Sequence, residues 1–225
     1  MNATAEPTSC LEFVSPIAVR NKLSALGIPD AIFVKAAQRA FVEKANFVIF
    51  DPVGADGTDA WRYAVREVRQ QLDREGFRLD DPNNLPLSVC DSRQINVTVS
   101  SGDQMTGVFG HPKLPKSKNI KGAMFLAAID RNLDQDDLFP DSLPENIVKF
   151  GQTLSYPTWV FLVRITEEEI FAEFSLPSSM DAAGHIDGWS ERILIEVPLP
   201  DEARNIADDL DSDAIDIVPK IINRD

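Results

Sequence analysis

Lys113, Lys116, Lys118 and Lys121 fall within nine residues of a chain whose formal net charge is −14. The stretch around them, Gln104 to Ile129, contains no Asp or Glu, although the chain has 36 acidic residues against 22 Lys and Arg. Pro112 and Pro115 fix the backbone on either side of Lys113 and stiffen the run. Ammonium groups on such a loop act as point charges for a phosphate or a carboxylate. Phe109 and His111 stand just before the lysines, where an aromatic ring beside a cation can touch a base or enter an apolar pocket of a partner. The run has neither the GK[ST] ending of a Walker loop nor a GxGxxG fingerprint, so a glycine-built phosphate cradle is not expected. The plainer alternative leaves the lysines solvated, or neutralised by Asp134, Asp136, Asp137, Asp141 and Glu145 farther along the chain, since exposed ion pairs are common and weak.

A second set of cations, Arg62, Arg66 and Arg69, recurs at helical spacing with Arg74, interleaved with Glu67, Asp73 and Glu75. By itself this is a mixed-charge helix face supported by local pairs. Placed beside the lysine run, the three arginines would extend one basic surface.

Other chemistries have thinner support. His185 has Asp187 and Ser190 close in sequence, but triad members converge in space rather than along the chain. Asp51, Asp56, Asp59, Glu173 and Glu191 are candidate bases or metal ligands, and no Glu-x-Lys tripeptide of nuclease type occurs. Two cysteines and two histidines cannot build a four-thiolate or His-rich metal centre. No metal and no cofactor is expected, and Cys10 and Cys90 read as reduced thiols.

Composition narrows the partners. At −14 the whole molecule repels phosphate backbones and anionic lipid, so a nucleic-acid contact would have to be local. With 44% hydrophobic and 26% charged residues, the chain reads as an ordinary globular protein. The start has no basic region followed by an apolar run, and AMFLAAI and WVFLV are far short of the roughly 20 residues of a membrane helix. The expectation is a cytoplasmic protein without membrane contact.

The elements that must position these residues follow from periodicity. Ser15 caps a short helix that begins at Pro16 and stops at Gly27. Apolar residues at 33, 36, 37, 40 and 41 predict an amphipathic helix, and Phe47–Phe50 then reads as a short buried strand. Thr58 is expected to cap a helix that buries Trp61, Ala64, Val65, Val68 and Leu72, with Gly76 as its stop. Runs over 85–90 and 94–100 form a hairpin, and in the second Ile95, Val97 and Val99 alternate with Asn96, Thr98 and Ser100, as in a half-buried strand. A helix follows Gly122. The clearest signal is WVFLVRI-TEEE-IFAEFSLP, a hairpin pairing Ile165 with Ile170, which leaves Arg164 and Glu173 as diagonal neighbours able to pair. Ile193, Ile195 and Val197 add a third strand. Trp61, Trp159 and Trp189 all occupy core-like positions, which argues against a stacking platform for bases.

The sequence therefore predicts an α+β fold with a mainly antiparallel sheet, including a C-terminal meander over about 159–197, packed with N-terminal and central helices. Residues 1–200 form one domain, and 201–225 form an acidic segment with room for a short helix. The functional expectation is a noncatalytic interaction or regulatory protein whose basic loop, 107–122, docks an anionic partner, either an acidic protein surface or a nucleic-acid backbone. The second expectation is an enzyme, Mg-dependent or not, acting on a phosphate-bearing substrate.

Overall fold

The computed structural model describes residues 10–133, 154 and 156–200. The acidic stretch expected to face the lysines and the C-terminal segment 201–225 lie outside these residues. Seven strands form one sheet: β1 (Leu11–Phe13), β2 (Arg78–Asp80), β3 (Leu87–Cys90), β4 (Ile95–Ser101), β5 (Thr158–Ile165), β6 (Ile170–Met180) and β7 (Ile186–Ile195). Their spatial order is β1-β7-β6-β5-β4-β3-β2. The helices are α1 (Pro16–Ala25), α2 (Asp30–Ala45), α3 (Ala55–Arg74) and α4 (Ala123–Leu133). The fold is α+β, and its sheet is mixed rather than mainly antiparallel. The meander β5-β6-β7 and the hairpin β3-β4 are present, but β4 runs parallel to β5 and β1 parallel to β7. The long connection that carries the lysines and α4 crosses one face of the sheet and brings the chain back from the same end, which makes β4 and β5 parallel.

Local signals explain most elements. The Ser15 hydroxyl accepts the Ala18 amide at 3.3 Å, Pro16 takes the first helical position, and Gly27 leaves α1 in the left-handed region at φ 69°. The third helix starts earlier than the Thr58 signal suggests. Gly54, at φ 83°, turns the chain into α3, and Thr58 lies in its first turn, donating to the Gly54 carbonyl at 3.1 Å. Phe47–Phe50 do not form a strand. The Asp51 carboxylate accepts the Val48 amide at 2.8 Å, the Asp51 amide donates to the Val48 carbonyl at 2.9 Å, and the run is spent turning α2 back into α3. Ile49 and Phe50 are consequently about nine-tenths exposed, at 89% and 92%.

Strand alternation gives the sheet two different faces. On one, α1, α2 and α3 cover Val97, Val99, Trp159, Phe161, Val163, Phe174, Ile193 and Ile195. Phe33 of α2 wedges between Phe161 and Phe174 at 4.9 and 4.5 Å between ring centres. The hairpin register is the expected one, with Ile165 opposite Ile170, Val163 opposite Ala172 and Phe161 opposite Phe174. On the other face, Met124, Phe125, Ala128 and Ile129 of α4 pack over Leu87, Val89, Val160, Leu162 and Trp189. Asn132 fastens the end of α4, accepting the Thr158 amide at 2.8 Å and donating to the Thr158 and Pro177 carbonyls at 3.2 and 2.9 Å.

That second face also carries Asn96, Thr98, Ser100, Glu173, Ser175 and Arg192, all buried. β4 is therefore covered on both sides rather than half-buried. Glu173 does not meet Arg164, whose strand partner is Phe171 and whose guanidinium lies 3.6 Å from the centre of that ring. Glu173 binds Arg192 instead, through Oε1 at 3.2 Å and Oε2 at 2.5 Å, and Ser175 donates to its Oε1 at 2.9 Å. Arg192 also pairs with Glu12 of β1, its register partner on the neighbouring strand. Burial works against the guanidinium charge, but the hydrogen bonds and charge of Glu173, with Glu12, outweigh it and hold the Arg192 pKa above its ordinary value.

Removing one member of such a pair leaves an uncompensated buried charge. Arg192→Met is expected to lower unfolding stability by about 3–5 kcal/mol, and Glu173→Leu combined with Arg192→Met to recover part of that loss, both read from urea denaturation midpoints.

Candidate functional site

The basic loop is fastened at both ends. Gly102 donates to the Val163 carbonyl at 3.0 Å, Lys118 to Ser101 at 2.9 Å, Ser117 to Ile186 at 3.0 Å and Lys121 to Gly184 at 2.8 Å, all through backbone amides. Side chains add to this: Trp189 donates its indole N–H to the Pro115 carbonyl at 2.8 Å, the Ser117 hydroxyl accepts the Ile186 amide at 3.0 Å, and His185 Nδ1 lies 2.8 Å from the Ser117 carbonyl. At its near end the loop meets the buried ion pair. The Gly107 amide donates to Glu173 Oε2 at 2.9 Å, and Arg192 donates to the Val108 carbonyl at 3.1 Å. Gly107 is required there: its φ is 73°, and a Cβ would sit 3.2 Å from the Ala172 nitrogen and the Phe171 side chain.

The four lysines take three different environments. Lys116 pairs with Asp181 at 2.9 Å and lies 3.9 Å from Asp187. Hydrogen bonding to Asp181 raises the Lys116 pKa, and Lys116 together with the His185 amide draws Asp181 down to about 2. Lys113 and Lys118 are exposed, and among the described residues neither has a carboxylate within ion-pair distance. Lys121 is half-buried over the Phe125 ring, 5.3 Å from its centre, and burial brings its amine down to about 8. Phe109 is 60% exposed, so it does not anchor the loop in the core. His111 accepts the Lys113 amide at 3.1 Å, a tight local turn beside the first lysine.

The arginines of α3 are engaged with neighbours of their own. Arg62 pairs with Asp59 at 2.9 Å, and Arg69 holds Asp81 through two bonds of 2.9 Å. Arg62 and Arg66, with Arg39 of α2, surround the Tyr63 ring at 5.0, 4.7 and 5.0 Å. The expected catalytic sets are equally dispersed. His185 is engaged by Ser117, while Asp187 takes the Ser179 hydroxyl at 2.8 Å. Asp51 closes its turn, Glu173 is spent on Arg192, and Glu191 pairs with Lys22. Among the described residues no three His, Cys, Asp or Glu side chains stand together as a metal site. Cys10 and Cys90 are free, and burial pushes the Cys10 thiol up to about 11, away from the reactive thiolate.

Beside the loop lies a cleft that periodicity did not reveal. It encloses about 510 Å³ between α3, the turn Pro82–Asn84, the C-terminal end of β4 and the start of α4. Trp61 is not a core residue: it is 36% exposed at the cleft wall, its indole N–H held by the Val99 carbonyl at 3.2 Å. Asn83 and Asn84 both adopt left-handed backbone, at φ 47° and 64°, and the Asn83 amide reaches Met124 Sδ at 3.3 Å. The Pro-Asn-Asn tripeptide is the one local sequence sign of this rim, since Asn tolerates that conformation better than other side chains. The cleft itself is made by long-range packing.

No family model, curated protein or solved structure matches the chain. Among the described residues no helix is long and apolar enough to cross a membrane.

The Lys121 shift has a definite sign. Below pH 8 the amine is charged both folded and unfolded, and burying it costs stability; from about 8 to 10.5 the folded amine loses its proton first, so the cost fades as pH rises. Lys121→Met is expected to raise the unfolding midpoint at pH 7, with the gain over the native protein vanishing by pH 10.5, measured by paired urea titrations across that range.

Proposed function

We propose that this is a noncatalytic binding or regulatory protein that docks an acidic protein surface on its basic loop, 107–122. One observation carries the reading: in a chain of net charge −14, Lys113 and Lys118 stay exposed and without a carboxylate partner among the described residues, on a loop fastened at both ends. A flexible basic arm would collapse onto the nearest of many acids. A fixed one holds its cations outward and avoids much of the ordering cost of binding. Exposed Phe109 supplies the apolar contact that charge alone lacks.

The acidic field of the remaining surface favours a protein partner over a nucleic-acid backbone, whose uniform charge it would oppose. An enzyme acting on a phosphate-bearing substrate has less support. Asp51, Glu173 and Glu191, the acids that would assist the lysines, are each engaged elsewhere. Asp56 does share a cavity with a loop lysine, a 70 Å³ space with Lys118 and Lys44.

A glutamate decapeptide titrated into isotopically labelled protein at low salt is expected to shift the amide resonances of 109–118. Lys113→Glu with Lys118→Glu should weaken it about five- to thirty-fold, the loss of two exposed ion pairs of up to about 1 kcal/mol each. A duplex DNA of equal charge should bind more weakly. Unmoved loop resonances, or equal binding by the charge-reversed protein, would contradict the proposal.

A further inference from the structure

The cleft beside Trp61 differs from the docking loop in shape and in chemistry. Its walls are mostly apolar, with Trp61, Pro86, Val99 and Phe125 among them, and among the described residues it holds a single charge, Lys121. Among the described residues no acidic side chain lines it. α3, the Pro82–Asn84 turn, β4 and α4 face Lys121 with Trp61, Asn84, Thr98, Met124 and other uncharged groups. The remaining neighbour is the β6–β7 turn, whose Gly184 carbonyl takes the Lys121 amide; there Asp181 is held by Lys116 and His185 by Ser117.

A half-buried ammonium that has no counter-ion among the described residues, in a cleft whose other described walls are uncharged, is an unmet electrostatic demand. Its occupant must bring one negative charge and an apolar body. The space, about 510 Å³, is of the size that takes a small organic molecule. Trp61 is suited to a flat ring, because its bond to Val99 fixes the indole edge and leaves the rest of the ring as wall. The two left-handed asparagines at the rim are held to α4 by the contact of Asn83 with Met124 Sδ. That preserves the opening between the turn and the helix.

We infer that this cleft is a second binding site, taking a small aromatic monocarboxylate whose ring lies against Trp61 and whose carboxylate pairs with Lys121. The loop lysines Lys113 and Lys118 take no part, so this site stands or falls separately from the protein-docking surface. Binding recharges an amine that burial had brought down to about 8, so the complex takes up a proton at alkaline pH.

The probes are 2-naphthoate and its uncharged analogue 2-naphthamide, titrated into the whole protein by calorimetry and by quenching of tryptophan emission. Naphthoate is expected to bind at least tenfold more tightly than naphthamide at pH 7. Its affinity should fall about tenfold per pH unit above about 8, with proton uptake visible as a buffer-dependent heat. Lys121→Met should remove the preference for naphthoate and keep naphthamide binding, which also shows that the variant is folded. Trp61→Leu should weaken both. Equal affinity for the two probes, a preference that survives Lys121→Met, or no binding of either up to millimolar concentration would overturn the inference.

Discussion

Glu173 and Arg192 lie side by side on the inner sheet face, with 0% and 1% of their surface open to water. Two charges removed from water are tolerable only when their remaining hydrogen-bonding groups are met. The molecule meets them from three directions: Ser175 along β6, Glu12 in the edge strand β1, and the backbone of Gly107 and Val108 from the connection after β4. One buried pair therefore ties the edge of the sheet, the meander and the start of the basic loop into a single arrangement. The mixed topology follows from the same connection, because the chain must cross this polar face before it returns as β5 alongside β4.

The two sheet faces divide the work. Beneath α1, α2 and α3 the contacts are aromatic and aliphatic, with Phe33, Phe161, Phe174 and Trp159 as the centre of the packing. Beneath α4 and the loop the face is mixed, and its polar side chains act as fasteners. Those fasteners hold both ends of a loop rich in lysine and proline against the sheet. Lys118 and Lys121 start from fixed backbone, with their amides bonded to Ser101 and Gly184.

Much of this was legible in the sequence. Alternation over 159–177 predicted the hairpin to the residue, since shifting it by one would have moved Phe161 and Phe174 to the wrong face. The caps at Ser15 and Gly27 were equally local. What failed to show was non-local. Phe47–Phe50 has the composition of a strand, but α2 and α3 pack as neighbours on one face and the run is consumed by their turn. Asn96, Thr98 and Ser100 looked solvent-facing because alternation reports polarity, not what covers it. Arg164 and Glu173 satisfied the diagonal rule, yet Glu173 found a partner on β7, and only the spatial order of strands decides that. Trp61 had core spacing, but the sheet beneath it ends and a cleft begins.

The buried pair secures the start of the basic loop through Gly107 and Val108. The most direct measurement is native-state hydrogen exchange of the Gly107 amide, which donates to Glu173. If the loop is fastened as described, this amide exchanges only with opening of the core and is as protected as the amides of β5 and β6. Exchange at the rate of an unprotected loop amide would contradict it.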